Sequence, residues 1–329
     1  MSITLYTHLP GVRLEENNIP FANGHLTKLP FDEWFALESK FKYTETKYKK
    51  SAPVFWIKVL ATDDKTGLNE LIDTTSEETE QLHTAFLLEP RTPLLPTPSL
   101  SSSYITIPSS PDISDVVKGS TQRLIGPMER EYIVFGSPLQ YLYSAPELKL
   151  VEDIYNLIRA TNVLHLTEEL TAGISVLEET ARPDSWYEGD QQISLLSGFV
   201  QCIAACENIL LPPKEQIPPG KKTETFGQQA ASLTNITPSE NEKSAKKYSD
   251  LYRLRSSLMH GLPASSQHSN KMDSSLHEGR VLLRYSILAS LELRNSVPDA
   301  PPLWSLLKEK WSSLNIASPT TTLDIEEVL

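Results

Sequence analysis

The stretch Tyr248–Gly261, YSDLYRLRSSLMHG, decides how the chain is read. Tyr248, Leu251, Tyr252, Leu258 and Met259 recur at helical spacing and supply an apolar face. Gly261 stands where a left-handed cap residue ends a helix, and Pro263 forbids continuation. His260 therefore falls in the last turn, where unpaired carbonyls favour a cation. A histidine changes charge near neutral pH and can serve as acid or base. At about 100° per residue, Arg255 and His260 point about 140° apart with a rise of about 7.5 Å, so they do not share a face. Ser256 aligns with His260 at four residues, and Arg253 nearly aligns at seven. A site built from Arg255 and His260 needs an arginine that curls around the helix, or a second copy of the helix. Two-fold association supplies that copy. The plain structural alternative is a C-cap histidine with a surface arginine.

The neighbouring segments read as helices too. DQQISLLSGFVQCIAACENILLPP places Ile193, Leu196, Val200, Ile203 and Leu210 on one stripe, stopped by Pro212 and Pro213. PELKLVEDIYNLIRATNVLHLTEEL spaces Leu150, Ile154, Leu157 and Ile158 in the same way. A polar insert with a loop, PPGKKTET, is expected from Lys214 to about Pro238. SSLHEGRVLLRYSILASLELR forms a final long helix and PLWSLLKEKWSSL a short terminal one. Residues 146–329 therefore read as an all-α bundle of four or five helices.

Residues 1–145 read differently. SITLYTHL alternates, and APVFWIKVLA is a β-branched and aromatic run suited to a buried strand. LHTAFLLE, SYITIP and REYIVFG are shorter strand candidates, and PFDEWFALESKF a short amphipathic helix. The expected fold class is α+β, a mixed β-rich domain followed by the helical domain. Between them, about 91–120 is rich in proline, serine and threonine and reads partly as loop or disorder.

Composition narrows the function. The 329 residues carry a formal charge of −12, which argues against broad coating of nucleic acid. Between Asn241 and Ser290, eight basic residues face four acidic ones, so one local basic face on an acidic body is expected. That suits a specific anionic ligand; an unevenly charged solvated surface explains the count equally well. Cys202 and Cys206 lie four apart on a helix, as small buried thiols do, and accompany no zinc spacing. Low cysteine use fits a reducing cytoplasm. No signal peptide is read at the N-terminus, and no run of eighteen apolar residues offers a membrane span. No glycine-rich phosphate loop is present. His8, His25, His83 and His165 are scattered, and acidic clusters such as SEETE lack a histidine at ligand spacing, so no metal or cofactor is expected. His268 and His277 follow the motif closely enough to approach it.

The segment RSSLMH, Arg255 to His260 with four residues between, resembles the signature of the HEPN superfamily. The longer LYRLRSSLMHG looks most like its ApeA-like branch, in which a tyrosine precedes RS and HG closes the helix. ISLLSGFVQCIAACENILL resembles that branch's first core helix, with Glu207 near the usual acidic position. The likeness spans about 150–295. Many active members carry Asn, Asp or His directly after the arginine, where this chain has Ser256. The resemblance implies a metal-independent RNase acting at a homodimer interface, often in antiphage defence or toxin systems. Arg255, Ser256 and His260 are then the catalytic candidates, and Tyr252, Arg253 and Lys247 the RNA-binding ones. The N-terminal half becomes a sensor or regulatory domain, answering for example to a phage-derived trigger or a regulatory protein. The second expectation is a non-catalytic module that dimerises and holds RNA, a nucleotide or a protein partner.

Overall fold

A computed structural model describes residues 2–9, 12–28, 54–61, 68–91, 103–106, 141–161, 167–181, 191–234, 238–260, 272–297 and 301–315. The helix expected near 31–41, the strand expected at 130–136, Gly261, Pro263 and His268 lie outside them. The chain is α+β and divides into two units. The first comprises Met1–Asn156 with Ala181–Ser185, the second Leu157–Thr180 with Trp186–Leu329. The division thus falls inside the helix Ala145–Ala160, not at 145/146.

In the first unit, β1 (Ser2–His8), β3 (Ile19–Phe21), β4 (Gly24–Lys28), β5 (Val54–Ala61) and β6 (Ser103–Thr106) form an antiparallel sheet in the order β3-β4-β5-β1-β6. β2 (Val12–Leu14) and β7 (Tyr141–Tyr143) pair in parallel, Val12 opposite Tyr141. β5 is the apolar run of the sequence, and its residues from Val54 to Lys58 are all buried. Among the described residues, this part of the chain has the helices α1 (Leu68–Leu88) and α2 (Ala145–Ala160). LHTAFLLE, expected as a strand, is the end of α1. Residues 81–90 are buried throughout, and a helix buried on all sides shows the same unbroken apolar run as a short strand. At the start of α2 the Glu147 carboxylate reaches back to Ser144, whose N–H and hydroxyl both donate to it, each at 2.7 Å.

Lys58 on β5 is sealed in this unit. Its ammonium donates to Glu78 Oε2 of α1 at 2.7 Å, and the Tyr155 hydroxyl of α2 donates to the same oxygen. The pair's side chains are only 7 % and 8 % exposed.

The second unit holds α3 (Glu168–Ala181), α4 (Gln191–Leu210), α5 (Lys222–Thr234), α6 (Pro238–Met259), α7 (Met272–Ser296) and α8 (Leu303–Asn315). α5 corrects the expected polar insert. Its packing face is made of small residues, Gly227, Ala230 and Ala231, with Phe226 and Leu233, so hydropathy understates it. α5 and α6 run antiparallel and close together. A Cβ on Gly227 would meet Ser249 Oγ at 2.1 Å and the Ala245 carbonyl at 2.4 Å, so only glycine permits that approach.

α4 buries Phe199, Cys202, Ile203, Cys206, Ile209 and Leu210, a stripe displaced from the expected one: Leu196 and Val200 are half-buried. This stripe packs on α7 around Gly279, whose nearest neighbours are Cys202, Ile203 and Phe199. Burial pushes the Cys202 thiol up to about 12 and Cys206 well above its ordinary value, so both are inert small hydrophobes. The basic count of 241–290 overstates the surface charge, because Arg284 is buried and Arg280 donates to the Thr180 carbonyl.

Candidate functional site

Glu207 is the centre around which the motif helix is organised. The stripe that buries α4 leaves Glu207 on its partly exposed side, one turn before the prolines. Three groups reach its carboxylate. Lys222, the first residue of α5, donates to Oε1. The Tyr252 hydroxyl of α6 donates to Oε2 at 3.1 Å. Arg255 Nη1, also of α6, lies 3.4 Å from Oε2. The ordinary pKa of Lys222 is raised by its hydrogen bond to Glu207, and that of Tyr252 is raised by burial and then by the Glu207 charge.

Arg255 is neither a free surface charge nor a sealed one. Its side chain is 23 % exposed and its guanidinium carbon sits 6.0 Å from the Tyr252 ring centroid. Its Nε is buried with no partner among the described residues, so Glu207 occupies only part of the fork. Two cations share one carboxylate here, which leaves a net positive charge beside a partly open surface.

Tyr252 is not available to stack on a base. It is buried, with its ring 4.9 Å from that of Phe226, and acts through its hydroxyl on Glu207. Ser256 is half-buried, and its carbonyl accepts the His260 N–H at 3.2 Å, which continues the helical pattern through the motif histidine. His260 itself is exposed. Met259, expected on the apolar face, is 59 % exposed beside it. The structure thus gathers Arg255 and Tyr252 on Glu207 and turns His260 outward, as the 140° separation requires.

The other two expected RNA contacts are paired at the surface. Arg253 donates to Asp250 at 2.7 Å, and Lys247 meets Glu278 of α7 at 3.0 Å. His277 is exposed on the first turns of α7. A cleft of about 870 Å³ opens on the other side of the cluster, between Glu168, Glu207, Asn208, Lys222, Arg294 and Trp304. Arg255 and His260 do not line it. Among the described residues, no group of histidine, cysteine and carboxylate side chains is arranged to hold a metal ion, and no helix is long and apolar enough to cross a membrane.

Lys222 and Phe226 were missed by the sequence reading, because they fall in the segment taken as a polar insert. The FxxxAxxL spacing from Phe226 to Leu233 was the available signal. No family model, curated protein or solved structure matches the chain.

Proposed function

We propose that the chain is a metal-independent endoribonuclease of the HEPN type, acting at a composite site between two copies in antiphage defence or a toxin-like system. The observation that carries this reading is the state of Arg255: anchored by Glu207, partly exposed, with its Nε unpartnered among the described residues, on the helix whose end presents His260 to solvent. In the reaction, the RNA 2′-oxygen loses its proton and attacks the adjacent phosphorus. The 5′-oxygen then leaves and takes up a proton. His260 handles a proton in that sequence. Arg255 forks onto the crowded phosphorane oxygens and stabilises their developing charge, a role that needs its planar geometry. Ser256 sets the last turn that carries His260 and offers a hydroxyl to phosphate. Met259 gives the helix end an apolar contact that a second copy would cover. RNA is the substrate, and the N-terminal unit is the regulatory part.

A non-catalytic dimerising module is the second reading. It is favoured by the neutralising contact from Glu207, which an arginine with a purely structural role would also make.

Expression of wild type and His260→Ala in bacteria, with total-RNA integrity read under phage challenge, separates the two. Loss of a cleavage pattern in the variant by about 10²-fold or more supports the nuclease. Identical RNA profiles in both strains, with no cleavage in either, leave the binding module. Arg255→Lys, which keeps charge but loses the fork, is expected to fail nearly as badly as His260→Ala.

A further inference from the structure

We propose that the exposed face of α6 is a phosphate track for single-stranded RNA, ending in a seat formed by Lys243 and Lys246 against the start of α7. The inference rests on the nuclease reading and extends it to how substrate is held. Lys246, Arg253 and His260 follow one another at seven-residue steps. Seven residues turn about 20° short of two full turns, so the three lie on one stripe, rising about 10 Å per step. All three are exposed. Glu242, also exposed, follows one turn beyond Lys246 and terminates the stripe.

At the far end, a cleft of about 420 Å³ lies between α6 and α7, lined by Lys243, Lys246, Lys247, Asp250, Ser275 and Glu278. Its two carboxylates are already taken. Glu278 holds Lys247 at 3.0 Å, and Asp250 holds Arg253 at 2.7 Å. Lys243 and Lys246 have no carboxylate partner among the described residues. Ser275, buried to 8 % exposure in the first turn of α7, adds a hydroxyl on the cleft wall. The Asp250–Arg253 pair is exposed and weak, so Arg253 can exchange its carboxylate for a phosphate at little cost. The span from Lys246 to His260, about 21 Å at 1.5 Å per residue, accommodates a few nucleotides. The stripe is a row of cations spaced along one face, so the track is assigned to backbone phosphate, whose contacts fix register and carry no sequence information.

The test uses full-length protein carrying His260→Ala, so that binding is measured without cleavage, with fluorescein-labelled hexauridylate and diuridylate as probes. The hexamer is expected to bind about tenfold more tightly than the dimer. Adding Lys243→Gln and Lys246→Gln is expected to abolish that preference and to lower the slope of log affinity against log salt by about 1.4, near 0.7 per phosphate contact. Arginine at both positions restores the slope. Lys214→Gln, on an exposed lysine elsewhere in the unit, leaves it unchanged. An unaltered slope in the double glutamine variant, or an equal fall with Lys214→Gln, overturns the track. Absence of cleavage by wild type would instead remove the nuclease reading and leave this binding result standing.

Discussion

Each unit contains a glutamate held by a lysine ammonium and a tyrosine hydroxyl, and the two clusters have opposite exposure. Glu78, with Lys58 and Tyr155, is closed to solvent in the first unit. Glu207, with Lys222 and Tyr252, is half-open in the second, and Lys222 there is 43 % exposed. The closed cluster balances one cation against one carboxylate, which a buried pair requires. The open cluster adds Arg255, so positive charge exceeds negative and part of a guanidinium fork is left over. The same three-group chemistry thus anchors one unit and, with one cation added, leaves an excess of positive charge at a half-open surface in the other.

Glu78→Gln probes the closed cluster and carries the largest expected stability effect. It leaves a buried ammonium without a counter-charge, and the first unit should lose about 3–5 kcal/mol. Hydrogen exchange is expected to accelerate in β5 and α1 and not in α5 and α6. Equal acceleration in both units would erase the contrast. Glu207→Gln is the matching change in the open cluster. Its stability cost is expected to be smaller, about 1–2 kcal/mol, because water reaches both cations. RNA cleavage should nevertheless fall by about tenfold or more, since Arg255 loses its anchor. A variant with full cleavage and a large stability loss would make the open cluster a second structural pair.

The effect that is smallest at neutral pH, and grows only as pH falls, is a pH dependence confined to the first unit. His83 on α1 is buried, its Nε2 lacks a partner among the described residues, and burial pushes its pKa down to about 3. The unfolded chain takes up a proton near the ordinary value of 6.5 while the folded one does not. Stability therefore falls as pH drops below 6.5, by at most about 1.4 kcal/mol per pH unit until pH nears the folded value. His83→Leu should flatten that limb in urea titrations between pH 6 and 4. An unchanged slope would show that His83 is not the group responsible.

The parts of this contrast were unequally visible in the chain itself. β1 and β5 were legible because alternation and β-branched runs survive translation into a sheet. The motif helix was legible from its spacing, and α6 ends at Met259, one residue before the expected end at His260. The end of α1 was misread because total burial removes the periodicity that distinguishes helix from strand. α5 was hidden because glycine and alanine pack closely without a strong apolar signal. Of the site, Arg255 and His260 could be picked out locally. The bonds from Glu207 to Lys222, Tyr252 and Arg255 join residues 15, 45 and 48 positions away, which periodicity within one helix does not encode.

Mixing inactive partners tests the composite site most directly. Arg255→Ala and His260→Ala are each expected to be inactive alone. If one copy supplies the guanidinium and the other the imidazole, a co-refolded equal mixture regenerates one intact site per mixed dimer, and about a quarter of wild-type RNA cleavage returns. Cleavage that stays at the level of the single variants, in a mixture shown to contain mixed dimers, would contradict a site shared between two copies.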